Sequence, residues 1–216
     1  MPEAAGAIEV DIRIEAAAWH GAVPALEETM DATVRAALEC AGLAGRLFEL
    51  SILLVDDSAI AALNQKWRSK MGPTNVLSFP GDSATPVAAE NGISDDGVPV
   101  LLGDIVIAFE TATAEADAAG ISTDNHLRHL VVHGVLHLLG YDHENDEDAE
   151  RMERCEIEIL GTLGVPEAGL DEAQIGEAYQ VEQPLDNEEW VPAGEGVVER
   201  DAEASGARRD GSDETD

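Results

Sequence analysis

Histidines are crowded into one short stretch of this 216-residue chain, because five of its six lie within 18 residues. Three of them, His133, His137 and His143, follow the spacing H-x₃-H-x₂-G-x₂-H. Side chains four residues apart share one face of a helix, so His133 and His137 can bind one metal ion together. Gly140 can adopt the left-handed conformation that ends a helix, which lets the chain turn back and brings His143 to the same ion.

A set of three histidine ligands indicates a kind of chemistry. Structural zinc is closed by four protein ligands, whereas catalytic zinc has three and keeps one position for water or substrate. No fourth ligand is obvious in the sequence. Cys155 is an alternative, but it lies on an apolar stripe with Met152 and Ile159, which favours a place in the core. The spacing therefore predicts a catalytic metal site with one ion per chain.

Three neighbouring side chains are candidates for supporting roles at this site. Asp142 could accept a hydrogen bond from the ring N–H of a ligand, although Asp in such a segment also forms turns. His129 lies on the same predicted helix face as His133 and is a second candidate. His126, on the first turn of that helix, is as compatible with an ordinary packed histidine as with a functional one.

The histidine spacing also matches the long zinc-protease pattern, which makes a metalloprotease the first alternative. That pattern requires a glutamate directly after the first histidine, where it acts as general base for the attacking water. Here the residue after His133 is Gly134. A protease without its general base would lose roughly 10²–10⁴-fold in rate, so the glycine argues against this activity.

Basic residues are scarce, since the chain has 12 Lys and Arg against 45 Asp and Glu, a net charge of −33. Such a chain binds nucleic acid only through a local basic patch. Lys66, Arg68 and Lys70 form one, although cations at an exposed helix end would look the same. Arg68 is the candidate catalytic residue, because a guanidinium can hold a phosphate by two parallel hydrogen bonds. Lys66 and Lys70 are weaker candidates for binding substrate.

The elements that must position these residues can be predicted from periodicity, turn residues and helix caps. Together they predict an α+β fold with about four strands in a mixed sheet and about five helices. The predicted strands are 8–14, 48–55, a short segment that ends at Pro80, and 100–109. The predicted helices are 25–41, 58–67, 110–119, 123–139 and 146–161. Residues 82–98 are predicted to form a polar loop.

The last part of the chain differs in composition from the rest. Residues 165–216 contain 16 acidic side chains and three arginines, with scattered apolar residues and no sustained period. We therefore predict one folded domain over 1–164 and a disordered acidic tail over 165–216. Two cysteines are too few for a disulfide framework, and no stretch reads as a signal peptide or membrane helix. A cytoplasmic protein with no membrane contact is the expectation.

Three motifs in order carry a resemblance to a known family: NQKWRSKMGPTNVLSFP from Asn64, LLGDIVIA from Leu101 and HLVVHGVLHLLGYDHENDEDAERME from His129. Over roughly residues 8–163 the chain resembles the YbeY family of bacterial endoribonucleases. The resemblance implies a single-strand-specific metallo-endoribonuclease, usually with zinc. Such an enzyme matures the 3′ end of small-subunit (16S) ribosomal RNA and takes part in ribosome quality control.

The resemblance also implies roles and partners. The metal ligands fall on His133, His137 and His143, and the arginine important for activity falls on Arg68. The implied partners are single-stranded ribosomal RNA precursors, the small ribosomal subunit and an Era-like GTPase, with no DNA. A non-catalytic ribosome assembly factor that uses the metal only for stability is the second alternative.

We expect the ion to polarise a water or position a phosphodiester oxygen while Arg68 stabilises charge on the phosphate. Whether water or the RNA 2′-hydroxyl attacks is left open. Asp104 is a candidate general base, although a hydrogen bond to the backbone at a strand end is the favoured explanation.

Overall fold

The computed structural model describes residues 8–44, 46–81, 99–143 and 145–166, together with the backbone of residues 179–180. In these ranges the chain forms six helices and five strands. The strands are β1 (Ile8–Ile14), β2 (Phe48–Val55), β3 (Val76–Pro80), β4 (Val100–Ala108) and β5 (Tyr179–Gln180). The helices are α1 (Trp19–Ala22), α2 (Leu26–Cys40), α3 (Asp57–Arg68), α4 (Phe109–Ala119), α5 (Thr123–Leu138) and α6 (Asp146–Thr162).

The sheet has the order β1-β2-β4-β3-β5. Strands β1, β2 and β4 are parallel to one another, β3 is antiparallel to β4, and β5 adds two residues parallel to β3. The predicted α+β class and mixed sheet are confirmed, and so are all four predicted strands and all five predicted helices, to within two residues at the ends that were specified. The two-residue strand β5 lies in the segment predicted to be a tail.

One short helix, α1, was not predicted. Helix α1 has four residues, which is too short to show a helical period. Its Trp19 is fully buried and meets the ring of Phe109 edge to face, with centroids 5.1 Å apart. Burial of a large aromatic side chain between distant segments explains why the chain bends there.

Helix α5 lies against one face of the sheet and is buried along most of its length, including its four histidines. It begins at Ser122, whose hydroxyl accepts a hydrogen bond from the Asn125 N–H at 3.2 Å. Helices α2, α4 and α6 all contact α5. His133 and His137 of α5 are therefore embedded in the core, where water is largely excluded.

The opposite face of the sheet is covered at β3 by α3, whose Trp67 packs edge to face on Phe79 at 6.4 Å. Phe79 pairs with Asp104 in register, so both side chains lie on this face. The next residue, Ile105, points to the α5 side because side chains alternate along a strand. The two faces of β4 therefore separate Asp104 from the histidines.

Part of the predicted organisation lies outside the described residues. This applies to the polar loop 82–98 and to nearly all of the predicted disordered tail over 165–216, apart from residues 165–166 and 179–180. Among the described helices, none combines the length and apolar character needed to cross a membrane.

Candidate metal centre

Three imidazoles converge at the end of α5. The candidate ligand nitrogens of His133, His137 and His143 all lie within 4.8 Å of one another. His133 Nε2 and His137 Nε2 are 2.9 Å apart. His133 and His137 are buried in the helix, and His143 is half-buried in the turn that follows. The structure thus brings together the three histidines that the spacing predicted, and within the described ranges no other Cys, Asp, Glu or His joins them.

The turn after α5 is built around Gly140. This glycine has φ of +91°, in the left-handed region that favours glycine. Its N–H donates to the His137 carbonyl at 2.9 Å, and the Tyr141 N–H donates to the Leu136 carbonyl at 3.0 Å. These bonds satisfy carbonyls at the helix end and reverse the chain, as predicted, so that His143 reaches the α5 histidines.

The two helical ligands are oriented by hydrogen bonds on their far nitrogens. His137 Nδ1 lies 3.1 Å from the Tyr141 carbonyl oxygen, and His133 Nδ1 lies 2.7 Å from Glu156 Oε1. Both partners can only accept, so we assign a proton to the Nδ1 atom of each ring. The two Nε2 atoms, which face each other, are then the nitrogens that a shared cation could use. The donor set therefore fits a metal ion that favours imidazole.

Burial also keeps His137 in the form that can bind a metal. Burial lowers the pKa of His137 to about 3, and the electrostatic influence of the neighbouring His133 and His143 lowers it further. The Tyr141 carbonyl and Glu156 oppose this shift without reversing it. His137 is therefore a neutral ligand at physiological pH, as coordination requires.

Sequence reasoning missed Glu156, which lies on α6 and is 3 % exposed. Burial by itself raises the pKa of this carboxyl, but hydrogen bonds with His129 and His133 outweigh burial and lower the pKa to about 2. The signal that could have revealed it is an acidic residue on the buried face of α6, which also contains Met152 and Ile159. An acid at such a position needs a buried partner.

The candidate supporting residues have distinct contacts. His129 is buried, and its Nε2 lies 3.5 Å from Glu156 Oε2. Asp142 accepts a hydrogen bond from the backbone N–H of His143 at 2.7 Å, which is the turn-forming role weighed above. His126 is 4 % exposed and lies 2.9 Å from Glu115 Oε2. Cys155 packs against the hydrophobic core, in agreement with its apolar stripe.

The basic patch divides in two. Arg68 and Lys70 line a cavity of about 310 Å³, whereas Lys66 places its ammonium 4.5 Å from the centre of the Trp67 ring. The other polar residues of the cavity wall are Asn64, Thr74, Asn75, Thr111 and Glu115. Glu115 is also the partner of His126, which stands seven residues, about 10 Å, before His133 on α5. A wall of this cavity therefore contacts the helix that carries the metal ligands.

The position of the missing protease base is filled by the sheet. A Cβ atom built on Gly134 would lie 3.0 Å from both Cδ1 and Cγ2 of Ile105. A glutamate there would press on the Ile105 side chain, so the tight contact between α5 and the sheet favours a glycine. Asp104 is excluded as a base by its place on the opposite face, beside Ser51 in the neighbouring strand. Burial raises the pKa of Asp104, partly offset by a hydrogen bond with Ser51 and by Arg13.

Fold and site together define a class, an α+β protein with a cluster of three histidines that could hold a metal ion. The chain matches the Endoribonuclease YbeY family over residues 13–164. It is 45 % identical over 160 residues to "Endoribonuclease YbeY" of Paramagnetospirillum magneticum, covering 73 % of this chain and 93 % of that protein. It is 46 % identical over 167 residues to the protein of the same name from Rhodopseudomonas palustris, covering 74 % and 82 %.

The chain therefore belongs to the YbeY family, and the resemblance found in the three motifs is confirmed. A solution structure of a Thermotoga maritima protein matches with a TM-score of 0.46 and 22 % identity, covering 76 % of this chain and 97 % of that one.

Proposed function

We propose that this protein is a metal-dependent endoribonuclease that cleaves single-stranded RNA. The observation that supports it most directly is the convergence of three imidazoles, two of them buried, in a chain whose relatives are named endoribonucleases. The single-strand preference comes from the family resemblance. A protease of the related histidine spacing is disfavoured, because the position of its glutamate is Gly134, which packs tightly against Ile105.

Zinc, one ion per chain, is the metal we propose. His133, His137 and His143 would hold it through three nitrogens, which suits zinc and leaves room for a fourth ligand that is not protein. Zinc needs no redox chemistry to act on a phosphodiester, since it supplies Lewis-acid polarisation of a bound oxygen. The histidines themselves would bind and orient the ion. The burial of His133 and His137 keeps competing water away from their ring nitrogens.

Arg68 is the residue we assign to the phosphate. Its guanidinium can hold two phosphate oxygens in parallel and stays charged at any relevant pH, so it stabilises negative charge that grows during cleavage. Lys70 lines the same cavity and adds positive charge for the RNA backbone. Lys66, on the Trp67 ring, is a weaker contributor to substrate binding. The folded part of the chain is otherwise acidic, which would confine RNA to this cavity.

In the cell we propose that the enzyme acts in the cytoplasm on precursors of 16S ribosomal RNA, at their 3′ end, and contributes to ribosome quality control. The small ribosomal subunit and an Era-like GTPase are the proposed partners. These assignments follow from membership of the family and from the match over residues 13–164. Cells depleted of the protein should accumulate 16S precursors with an unprocessed 3′ end.

A reconstitution experiment tests the activity. The full-length protein is stripped with a chelator, and cleavage of a labelled single-stranded RNA is measured before and after addition of about one equivalent of zinc. We expect cleavage only with metal, little cleavage of the same sequence in a duplex, and no digestion of casein. A His137→Ala protein purified in parallel reports contaminating ribonuclease. Equal cleavage in the stripped protein, or digestion of casein, would contradict the proposal.

A further inference from the structure

Glu156 is an acid in a place that acids avoid. It lies on the inner face of α6 with 3 % of its surface exposed, among the apolar side chains that pack against α5. Removing a carboxylate from water costs several kcal/mol unless its charge and oxygens find partners. Nothing in the packing of α6 requires an acid there, so the partners of this carboxylate should explain it.

Both carboxylate oxygens of Glu156 face histidines of α5. Oε1 lies 2.7 Å from His133 Nδ1, and Oε2 lies 3.5 Å from His129 Nε2. A carboxylate only accepts hydrogen bonds, so each of these nitrogens carries a proton. His133 is thereby held in the tautomer whose bare Nε2 points toward His137, at 2.9 Å.

A cation bound to the histidines would stabilise the carboxylate behind them. A low-dielectric interior makes the buried negative charge of Glu156 expensive unless positive charge lies nearby. A divalent ion held by the Nε2 of His133 would sit on the other side of the same ring and cancel that charge. In return, a carboxylate on the far nitrogen makes an imidazole a stronger ligand.

We infer that Glu156 is a positioning residue of the metal centre. Its carboxylate fixes the tautomer and orientation of His133 and supplies the buried negative charge that tightens the binding of a divalent cation. The inference rests on the metal-binding part of the proposed function, and it names a residue 23 positions from His133 in the chain and on a different helix.

The test is the zinc affinity of Glu156→Gln, measured by competition with a chromophoric chelator. Glutamine keeps the shape of the side chain and one acceptor oxygen but removes the charge. We expect the dissociation constant for zinc to rise about 10–100-fold, the range typical of the loss of a partner behind a metal-binding histidine. Glu115→Gln is the matched control, because it removes the same charge from a 2.9 Å carboxylate–histidine pair that lies behind His126. Its zinc affinity should stay within about threefold of wild type.

Two further readouts separate a positioning role from a structural one. The absorption spectrum of the Co²⁺-loaded protein should change in Glu156→Gln and not in Glu115→Gln, because only the former alters a ligand. If Glu156 merely fills space in α6, Glu156→Gln would lower the melting temperature of the metal-free protein and leave both zinc affinity and the Co²⁺ spectrum as in wild type. That result would overturn the inference.

If Glu156→Gln does not fold, Glu156→Asp replaces it, since aspartate keeps the charge but shortens the reach to His133. We expect an intermediate loss of zinc affinity, and wild-type affinity would overturn the positioning role. Failure of the two proposals is distinguishable. Tight zinc binding without RNA cleavage in the wild type would defeat the endoribonuclease alone, whereas unchanged affinity in the Glu156 variants with normal cleavage would defeat only this inference.

Discussion

Helix α5 carries two carboxylate–histidine pairs that look alike and differ in one respect. His126 pairs with Glu115 at 2.9 Å, and His133 pairs with Glu156 at 2.7 Å. The first pair uses the Nε2 atom of its histidine, whereas the second uses Nδ1. At His133 this leaves Nε2, which lies 2.9 Å from His137 Nε2, as the nitrogen that could bind a metal ion. The pair at His133 thus stands beside a second imidazole nitrogen, whereas His126 is not part of the three-histidine group.

The two carboxylates also differ in their exposure and in their hydrogen-bond partners. The Glu115 side chain is 21 % exposed, accepts a second hydrogen bond from Asn75 and lines the cavity of Arg68 and Lys70. The Glu156 side chain is 4 % exposed and faces only histidines among its described hydrogen-bond partners. One end of α5 therefore borders a polar cavity, and the other carries the buried histidines that could hold a metal ion.

The largest expected effect comes from removing one histidine at each end of α5. His137→Ala should weaken zinc binding by more than the 10–100-fold typical of a lost partner bond, because two remaining imidazoles make a weak site. His126→Ala should keep about one zinc ion per chain. Metal analysis after dialysis measures both. Full zinc occupancy in His137→Ala would show that His137 is not a ligand. Loss of metal from His126→Ala would show that the two ends of α5 do not differ as described.

The next effect concerns the cavity end. Arg68→Ala should retain zinc and the melting temperature but lose about 10²–10³-fold in RNA cleavage, because a charge-stabilising donor is gone. Arg68→Lys should recover little, since an ammonium does not reproduce the two parallel hydrogen bonds. Lys66→Ala is the control, because Lys66 rests on the Trp67 ring and should matter much less.

Salt dependence sharpens this prediction. The affinity of wild type for RNA should fall as salt is raised, with a shallower slope in Arg68→Ala, because one phosphate contact fewer releases fewer counterions. Wild-type cleavage by Arg68→Ala would show that the basic patch is ordinary exposed surface at a helix end and has no role in cleavage.

A smaller effect is expected where α5 meets the sheet. Gly134→Ala should lower the free energy of unfolding by up to about 2 kcal/mol, because overpacking against Ile105 exceeds the gain in helix propensity. Gly161→Ala, on α6, should raise it by up to about 1 kcal/mol, since its Cβ would meet nothing within 4 Å. Urea unfolding of the two variants should thus show opposite signs. Stabilisation by Gly134→Ala would contradict this prediction, because it would mean that Ile105 moves easily to make room for the added methyl group.

The smallest effect is expected from the end of the chain. Both pairs on α5 lie within 8–166, so truncation after Pro166 should leave zinc affinity unchanged. Among the described residues, this truncation removes the two register pairs between β5 and β3. We expect their loss to lower the free energy of unfolding by less than about 1 kcal/mol, which corresponds to a shift of less than about 4 °C in melting temperature. A truncation after Gln180, which keeps β5, is the control. A larger shift between the two proteins would show that β5 supports the sheet.

Much of the fold could be predicted because helices and strands have local causes. The alternation of Ile8–Ile14 and the serine cap at Ser122 each act within a few residues, and the structure places β1 and α5 accordingly. The three candidate ligands could be predicted for the same reason, since His133 and His137 share a helix face and Gly140 ends that helix. Helix α1 could not be, because burial of Trp19 against Phe109 is a contact between distant parts of the chain.

The sequence alone therefore determined which residues share a face and where the chain turns. This was enough to predict the helices and strands named above and the set of three histidines. Only the tertiary structure decided what those faces meet. Glu156 behind His133, Ile105 against Gly134 and Asp104 on the opposite face all depend on how α5 and α6 pack on the sheet. Periodicity encodes the direction of a side chain on its own element, whereas its partner is selected by close packing of the whole core.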